Sequence, residues 1–172
     1  MKKYISFALC FFLAFSVFAQ EKNTSNTSKR MKALNELTPN LSLSESDILL
    51  IIRGVDLNNN GVKDSVEEFL KLKYEKLSAE KEIINFAAAK QKILEVNYDD
   101  KYSLVSAYFA GNLANRCLMK KVGKDSFRDI NLDVSLRTYE TTVSKVLLGV
   151  YAEEIQRIQK LSFSYDDGFC EI

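Results

Sequence analysis

Histidine is absent from all 172 residues, and that absence narrows the chemistry more than any other feature of the composition. Without imidazole there is no Ser-His-Asp triad and no His–Cys nucleophile pair. There is also little basis for the catalytic zinc or di-iron centres that helix bundles build on histidine. Glycine is scarce: six residues stand singly along the chain, so no glycine-rich loop is available to cradle a phosphate. The one proline, Pro39, lies early, and nothing after it interrupts helix formation. Charge of neither sign dominates, with 24 basic residues against 23 acidic ones, which argues against nucleic acid or an anionic membrane surface as a partner.

What is present begins with a leader. Residues 1–19 have the pattern of a secretory signal peptide: Lys2-Lys3, an apolar run from Ile5 to Phe18, and small-residue spacing at Val17 and Ala19 before Gln20. The run is shorter than the ~20 residues of a spanning helix, so no membrane span is expected once the signal is removed. Cys10 falls too early in that run to serve as a lipidation cysteine. The expected location is periplasmic or secreted. Removing the two leader lysines leaves 22 basic residues against 23 acidic ones, a net charge of about −1.

Residues 20–43 read as a flexible polar linker rich in Asn, Ser and Thr, with a weak helix across Lys29–Leu37. A helical domain is expected over residues 44–172. At its start, Leu43–Val55 carries the apolar run Ile48–Ile52, whose β-branched content suits a strand, while Ser44-Glu45-Ser46-Asp47 suits a helix start. Both readings stay open at this level.

From Asp64 onward the apolar spacing is helical. A first helix, about Asp64–Leu77, aligns Val66, Phe69, Leu70, Tyr74 and Leu77. A second, about Ser78–Val96, aligns Ile83, Phe86, Ala87 and Leu94, with the Lys90 stem covering the stripe. A third, about Asp99–Lys121, aligns Val105, Phe109, Leu113 and Cys117, flanked by Tyr102 and Tyr108. A fourth runs from Leu132 to Lys160 through Leu136, Tyr139, Val143, Val146 and Val150, with Gly149 as its expected kink. The predicted fold is all-α: a small bundle of about four helices preceded by a polar loop. The Tyr and Phe stripes are read as core.

That loop is Asp56-Leu57-Asn58-Asn59-Asn60-Gly61-Val62-Lys63-Asp64-Ser65-Val66-Glu67. Calcium is a hard cation that takes six to eight oxygens at roughly 2.3–2.6 Å. Alternate residues turning inward supply such a shell, hence Asp56, Asn58 and Asn60. Gly61 allows the sharp bend that follows, because it has no Cβ to clash at positive φ. The backbone carbonyl of Val62 comes next, then Asp64, then Glu67 one turn into the following helix. The stretch resembles an EF-hand loop, and within that class the single bacterial or thrombospondin-type calcium repeat. EF-hands of the calmodulin sort carry an apolar residue two places after the glycine, for pairing with a second loop. Here that place holds Lys63, the apolar residue is Val62, and no second loop occurs. The resemblance implies Ca²⁺ held by Asp56, Asn58, Asn60, Val62, Asp64 and Glu67. The competing reading is a polar turn in which Asp64 caps the next helix and Glu67 completes a capping box.

Two cysteines remain after leader removal, Cys117 and Cys170, and an even count in an exported chain predicts a disulfide closing the tail onto the third helix. Carboxylate chemistry is the catalysis that a chain without histidine retains. The adjacent pairs Asp99-Asp100 and Glu153-Glu154 diverge by ~100° if helical, and read as solvated helix faces. The layout of signal, one calcium loop, helices and a late cysteine resembles small secreted bacterial proteins, a likeness that carries no activity. The expected function is an exported, non-catalytic calcium-binding protein with a protein or glycan partner in the cell envelope. The alternative is a cell-envelope hydrolase acting on glycans through carboxylates.

Overall fold

The computed structural model describes residues 28–37, 43–158 and Cys170. Residues 1–19, predicted as a signal peptide, residues 20–27 and 38–42 of the predicted linker, and all of the tail after Ile158 except Cys170 lie outside the described residues. Those described form seven α-helices and no strand. They are α1 (Lys29–Leu37), α2 (Glu45–Arg53), α3 (Asp64–Tyr74, extended by a 3₁₀ turn at Glu75–Leu77), α4 (Glu80–Glu95), α5 (Lys101–Val122), α6 (Lys124–Thr138) and α7 (Thr142–Ile158). No helix among them is long and apolar enough to cross a membrane.

The helix α4 packs along α5, and this pair spans two apolar clusters. One joins Ile48 and Ile52 of α2, Leu94 of α4, Leu104 of α5 and Leu147 of α7, together with Leu34 of α1. The other joins Val62 of the loop, Val66 and Leu70 of α3, Phe86 of α4, Leu118 of α5 and Val134 of α6. The polar loop between α2 and α3 therefore bridges the two clusters.

The ambiguous segment at residues 43–55 is a helix. Its end groups decide this: the Ser44 hydroxyl accepts from Asp47 N at 3.2 Å while the Ser44 N–H donates to the Asp47 carboxylate at 2.9 Å. This reciprocal box satisfies two orphan donors that a strand would have to satisfy elsewhere. Ile48 and Ile52, four residues apart, then share one buried face. At the other end the buried Gln91 side chain donates to Ile52 O at 2.5 Å.

Residues 29–37, predicted as a weak helix within a flexible linker, form that helix as α1, and it is packed against the domain. Leu34 is buried, and the guanidinium of Arg30 is 4 % exposed and donates to Val96 O at 2.7 Å and Leu94 O at 3.5 Å, the carbonyls that end α4. It also stacks 5.4 Å above the Tyr98 ring. Burying a guanidinium is costly without such partners, and the partners lie far along the chain, where local sequence patterns do not reach.

The long fourth helix predicted over Leu132–Lys160 is two helices. The break is not at Gly149, which lies inside α7, but at Tyr139–Thr141. There Thr141 Oγ1 accepts from Ser144 N at 3.0 Å, and Ser144 Oγ accepts from Thr141 N at 3.1 Å. The redirected chain buries Ile130, Val134 and Tyr139 and leaves Leu132 and Leu136 exposed, which reverses their predicted role. Thr141→Ala is expected to cost about 1 kcal/mol through the lost cap, measured as a lower urea midpoint. An unchanged midpoint would show that packing alone turns the chain here.

In α5 the predicted stripe Val105, Phe109, Leu113 and Cys117 is only half-buried, and the deeply buried positions are Leu104, Ala107 and Leu118. Tyr102, read as part of a core stripe, is exposed; Phe86 and Tyr139 are core residues as their stripes predict, and Tyr98 and Tyr151, which belong to no predicted stripe, are core residues too. Cys117 and Cys170 are joined by a disulfide with a Cα–Cα separation of 5.2 Å.

Candidate metal centre

The backbone of residues 54–64 sets the loop. Gly54 ends α2 at φ +61°, and a Cβ there would stand 3.1 Å from the Lys63 stem. The Asp64 N–H donates to Val55 O at 2.8 Å and closes the loop at its base. Asn59 and Gly61 both take positive φ, +56° and +82°. Lys63, at the place where paired loops carry an apolar residue, lies with its stem on Gly54 and its ammonium 3.9 Å from Glu140. Val62 is 2 % exposed and anchors the loop in the second cluster.

Within this frame Asn58 and Asn60 turn toward Glu67, while Asp56 and Asp64 accept backbone N–H groups of the loop. Asp56 Oδ1 accepts from Asn60 N at 3.1 Å and Oδ2 from Gly61 N at 2.9 Å. Asn58 Oδ1 accepts from Asn60 N at 3.1 Å, and Asn60 Oδ1 accepts from Val62 N at 2.9 Å. The amides of Asn58 and Asn60 both donate to Glu67 Oε2, at 3.0 and 2.7 Å. Asp64 accepts from Leu57 N through Oδ1 at 3.2 Å and Oδ2 at 3.3 Å. Asp64 is thus the first residue of α3 and not its cap. The N-cap is Lys63, which makes no side-chain cap bond, so the helix-capping reading leaves Asp64 unexplained.

Glu67 is the centre of the arrangement. Only 7 % of it is exposed, and besides the two amides its Oε1 meets Lys71 Nζ at 2.7 Å. The Lys71 ammonium holds the Glu67 carboxyl below the usual carboxylate range against the upward push of burial, and the Asn58 and Asn60 amides add to the lowering. Lys71 was not singled out from sequence, although its place four residues after Glu67 is a legible signal.

The donor set is all oxygen, which suits a hard cation; the Asn58 and Asn60 side chains present N–H groups to Glu67, and both carboxamides would turn over to offer oxygen to an ion there. Among the described residues no three Asp, Glu, Cys or His side chains gather into a ligand group. Coordination of a cation here would need the Asn58 and Asn60 carboxamide oxygens to join Asp56, Asp64 and Glu67.

The paired carboxylates considered for catalysis have structural partners. Asp100 caps α5, accepting from Tyr102 N at 3.0 Å and Ser103 N at 3.2 Å. Asp99 accepts from Lys29 N at 3.2 Å. Glu154 is buried, not solvated as predicted, and meets Lys29 at 2.8 Å and Arg157 at 2.6 Å. A cavity of about 560 Å³ between α4 and α5 is lined by the loop at Asn60-Gly61 and by the disulfide. Its two carboxylates, Glu82 and Glu95, stand roughly 20 Å apart at 1.5 Å per residue along one helix. A glycosidase needs its pair about 5–9.5 Å apart. No family model, curated protein or solved structure matches this chain.

Proposed function

We propose that this chain is an exported, non-catalytic calcium-binding protein in which one Ca²⁺ fixes the junction between α2 and α3. Asp56, Asn58, Asn60, Asp64 and Glu67 supply side-chain oxygens, and Val62 supplies its carbonyl. On this reading the helices after the loop, α3 to α7, are the bundle whose start the ion pins. The observation that carries this reading is Glu67. It lies a turn into α3, yet its carboxylate is buried against the side chains of Asn58 and Asn60, nine and seven residues earlier in the loop. A helix-capping turn has no use for that convergence. Because the loop bridges the two apolar clusters, an ion there would act on the whole fold, and the partner is a protein or glycan of the cell envelope.

Three of the five side-chain ligands are charged and no second loop preorganises the site, so the dissociation constant is expected at ~10⁻⁴–10⁻³ M, as in extracellular modules. An ion that binds only the folded loop stabilises by RT ln(1 + [L]/Kd), about 2.7 kcal/mol at a hundredfold excess over Kd. Calorimetry should give a heat of binding, and the melting temperature should rise in calcium relative to chelator. Glu67→Gln should abolish most of both effects, while Glu68→Gln serves as the neighbouring control. Asn59→Ala is a poor control because Asn59 sits at positive φ. No heat and no change in melting temperature at millimolar calcium would reduce the motif to a structural turn.

A further inference from the structure

We infer that Lys71 is a built-in competitor for the calcium site, holding the Glu67 carboxylate in the ion-free protein and passing to Glu80 when calcium binds. The inference rests on the calcium reading above and concerns what sets the affinity of that site.

Lys71 Nζ stands 2.7 Å from Glu67 Oε1 and 3.3 Å from Glu80 Oε1. The two acids differ in kind. The Glu67 side chain is 9 % exposed and its other oxygen is filled by Asn58 and Asn60, whereas the Glu80 side chain is 68 % exposed. The lysine, itself 45 % exposed, thus reaches from the surface onto a buried charge that has no other cation in contact with it among the described residues. Removing that charge partner would leave a carboxylate out of water with only amide donors.

A calcium ion bound by both Glu67 oxygens at about 2.3–2.6 Å would occupy the side of Oε1 that the ammonium now takes. Two positive charges on one oxygen repel strongly at such distances. Calcium and Lys71 are therefore alternatives at Glu67. Glu80, already within reach and solvated, receives the displaced ammonium with little change in side-chain geometry. The device keeps the loop assembled without calcium and weakens calcium binding by the strength of the ion pair displaced.

The test is calorimetry with calcium chloride and thermal melting in chelator, on the full mature chain and three variants. Lys71→Met keeps the stem and removes the charge. It should tighten calcium binding about fivefold and lower the calcium-free melting temperature, a pairing that a purely structural lysine would not produce. Lys73→Met, two residues on and paired with Asp133 instead, makes the same change of net charge and should leave the affinity unchanged. Glu80→Gln, on an exposed residue that does not endanger folding, should weaken binding by about twofold. Wild-type binding together with unchanged or weaker binding in Lys71→Met would overturn the inference. So would equal tightening in Lys73→Met, or unchanged affinity in Glu80→Gln. Absence of any heat in the wild type would instead overturn the calcium reading itself.

Discussion

Phe86→Ala will lower the free energy of unfolding by about 4 kcal/mol, within the ~3–5 kcal/mol typical of large aromatic truncations in a core. Phe86 is 1 % exposed on α4, in the same cluster as Val62 and Val66 beneath the loop. Its ring meets Phe127 edge-on, with centroids 5.8 Å apart at 65°, an arrangement that adds to plain burial. The Lys90 ammonium lies 5.2 Å from the ring centroid, and the burial that depresses its ionisation is partly cover provided by this packing. Truncation therefore removes an aromatic contact, opens a cavity and exposes a lysine stem at once. Phe86→Leu, which keeps most of the volume, should cost less than about 1.5 kcal/mol. Urea denaturation of both variants measures the difference. An alanine variant within about 1.5 kcal/mol of wild type would mean that this cluster collapses around the gap and is not close-packed. Because Val62 shares the cluster, the alanine variant should also weaken calcium binding, whereas the leucine variant should not.

Reducing the Cys117–Cys170 bond will cost about 4 kcal/mol. The bond closes a separation of 53 residues, and the chain-entropy relation gives this figure for a loop of that length. Cys117 is half-buried on α5 and lines the cavity beside α4, so the bond also holds Cys170 against the helix pair on which both clusters are built. Urea unfolding with and without a non-thiol reductant, and a Cys117→Ser/Cys170→Ser double variant, should agree in the size of the loss. Identical midpoints for oxidised and reduced protein would sink the claim.

How much the sequence declares depends on the range of the interaction. The helical stripes of α3 and α4 are readable because Val66 with Leu70, and Ile83 with Ala87, lie one turn apart and bury together. The start of α2 is readable in the same way, since Ser44 and Asp47 meet within one turn. Its β-branched run left the segment undecided, because Ile suits either a pleated or a helical surface once it is buried. The break before α7 had a local signal in Thr141 and Ser144, but the uninterrupted three-and-four spacing of Leu132, Leu136, Tyr139 and Val143 outweighed it on paper. Only the geometry of the turn shows that Leu132 and Leu136 face outward.

The amino-acid sequence by itself determined the helical class, the pairing of Cys117 with Cys170, and the spacing of oxygen-bearing residues from Asp56 to Glu67. Each of these depends on residue type and on neighbours within one or two turns, or, for the cysteines, on a count that leaves one partner each once Cys10 is set aside with the predicted leader. Tertiary structure alone decided the rest. Arg30 is buried because the carbonyls that end α4 come to it from 64 and 66 residues away. Glu154 is buried because Lys29 crosses 125 positions of sequence to meet it. Lys71 stands between Glu67 and Glu80 because the 3₁₀ turn folds α4 back within its reach. Charged side chains are silent in a hydrophobic pattern, and the choice among their partners is made only when packing removes water from one of them.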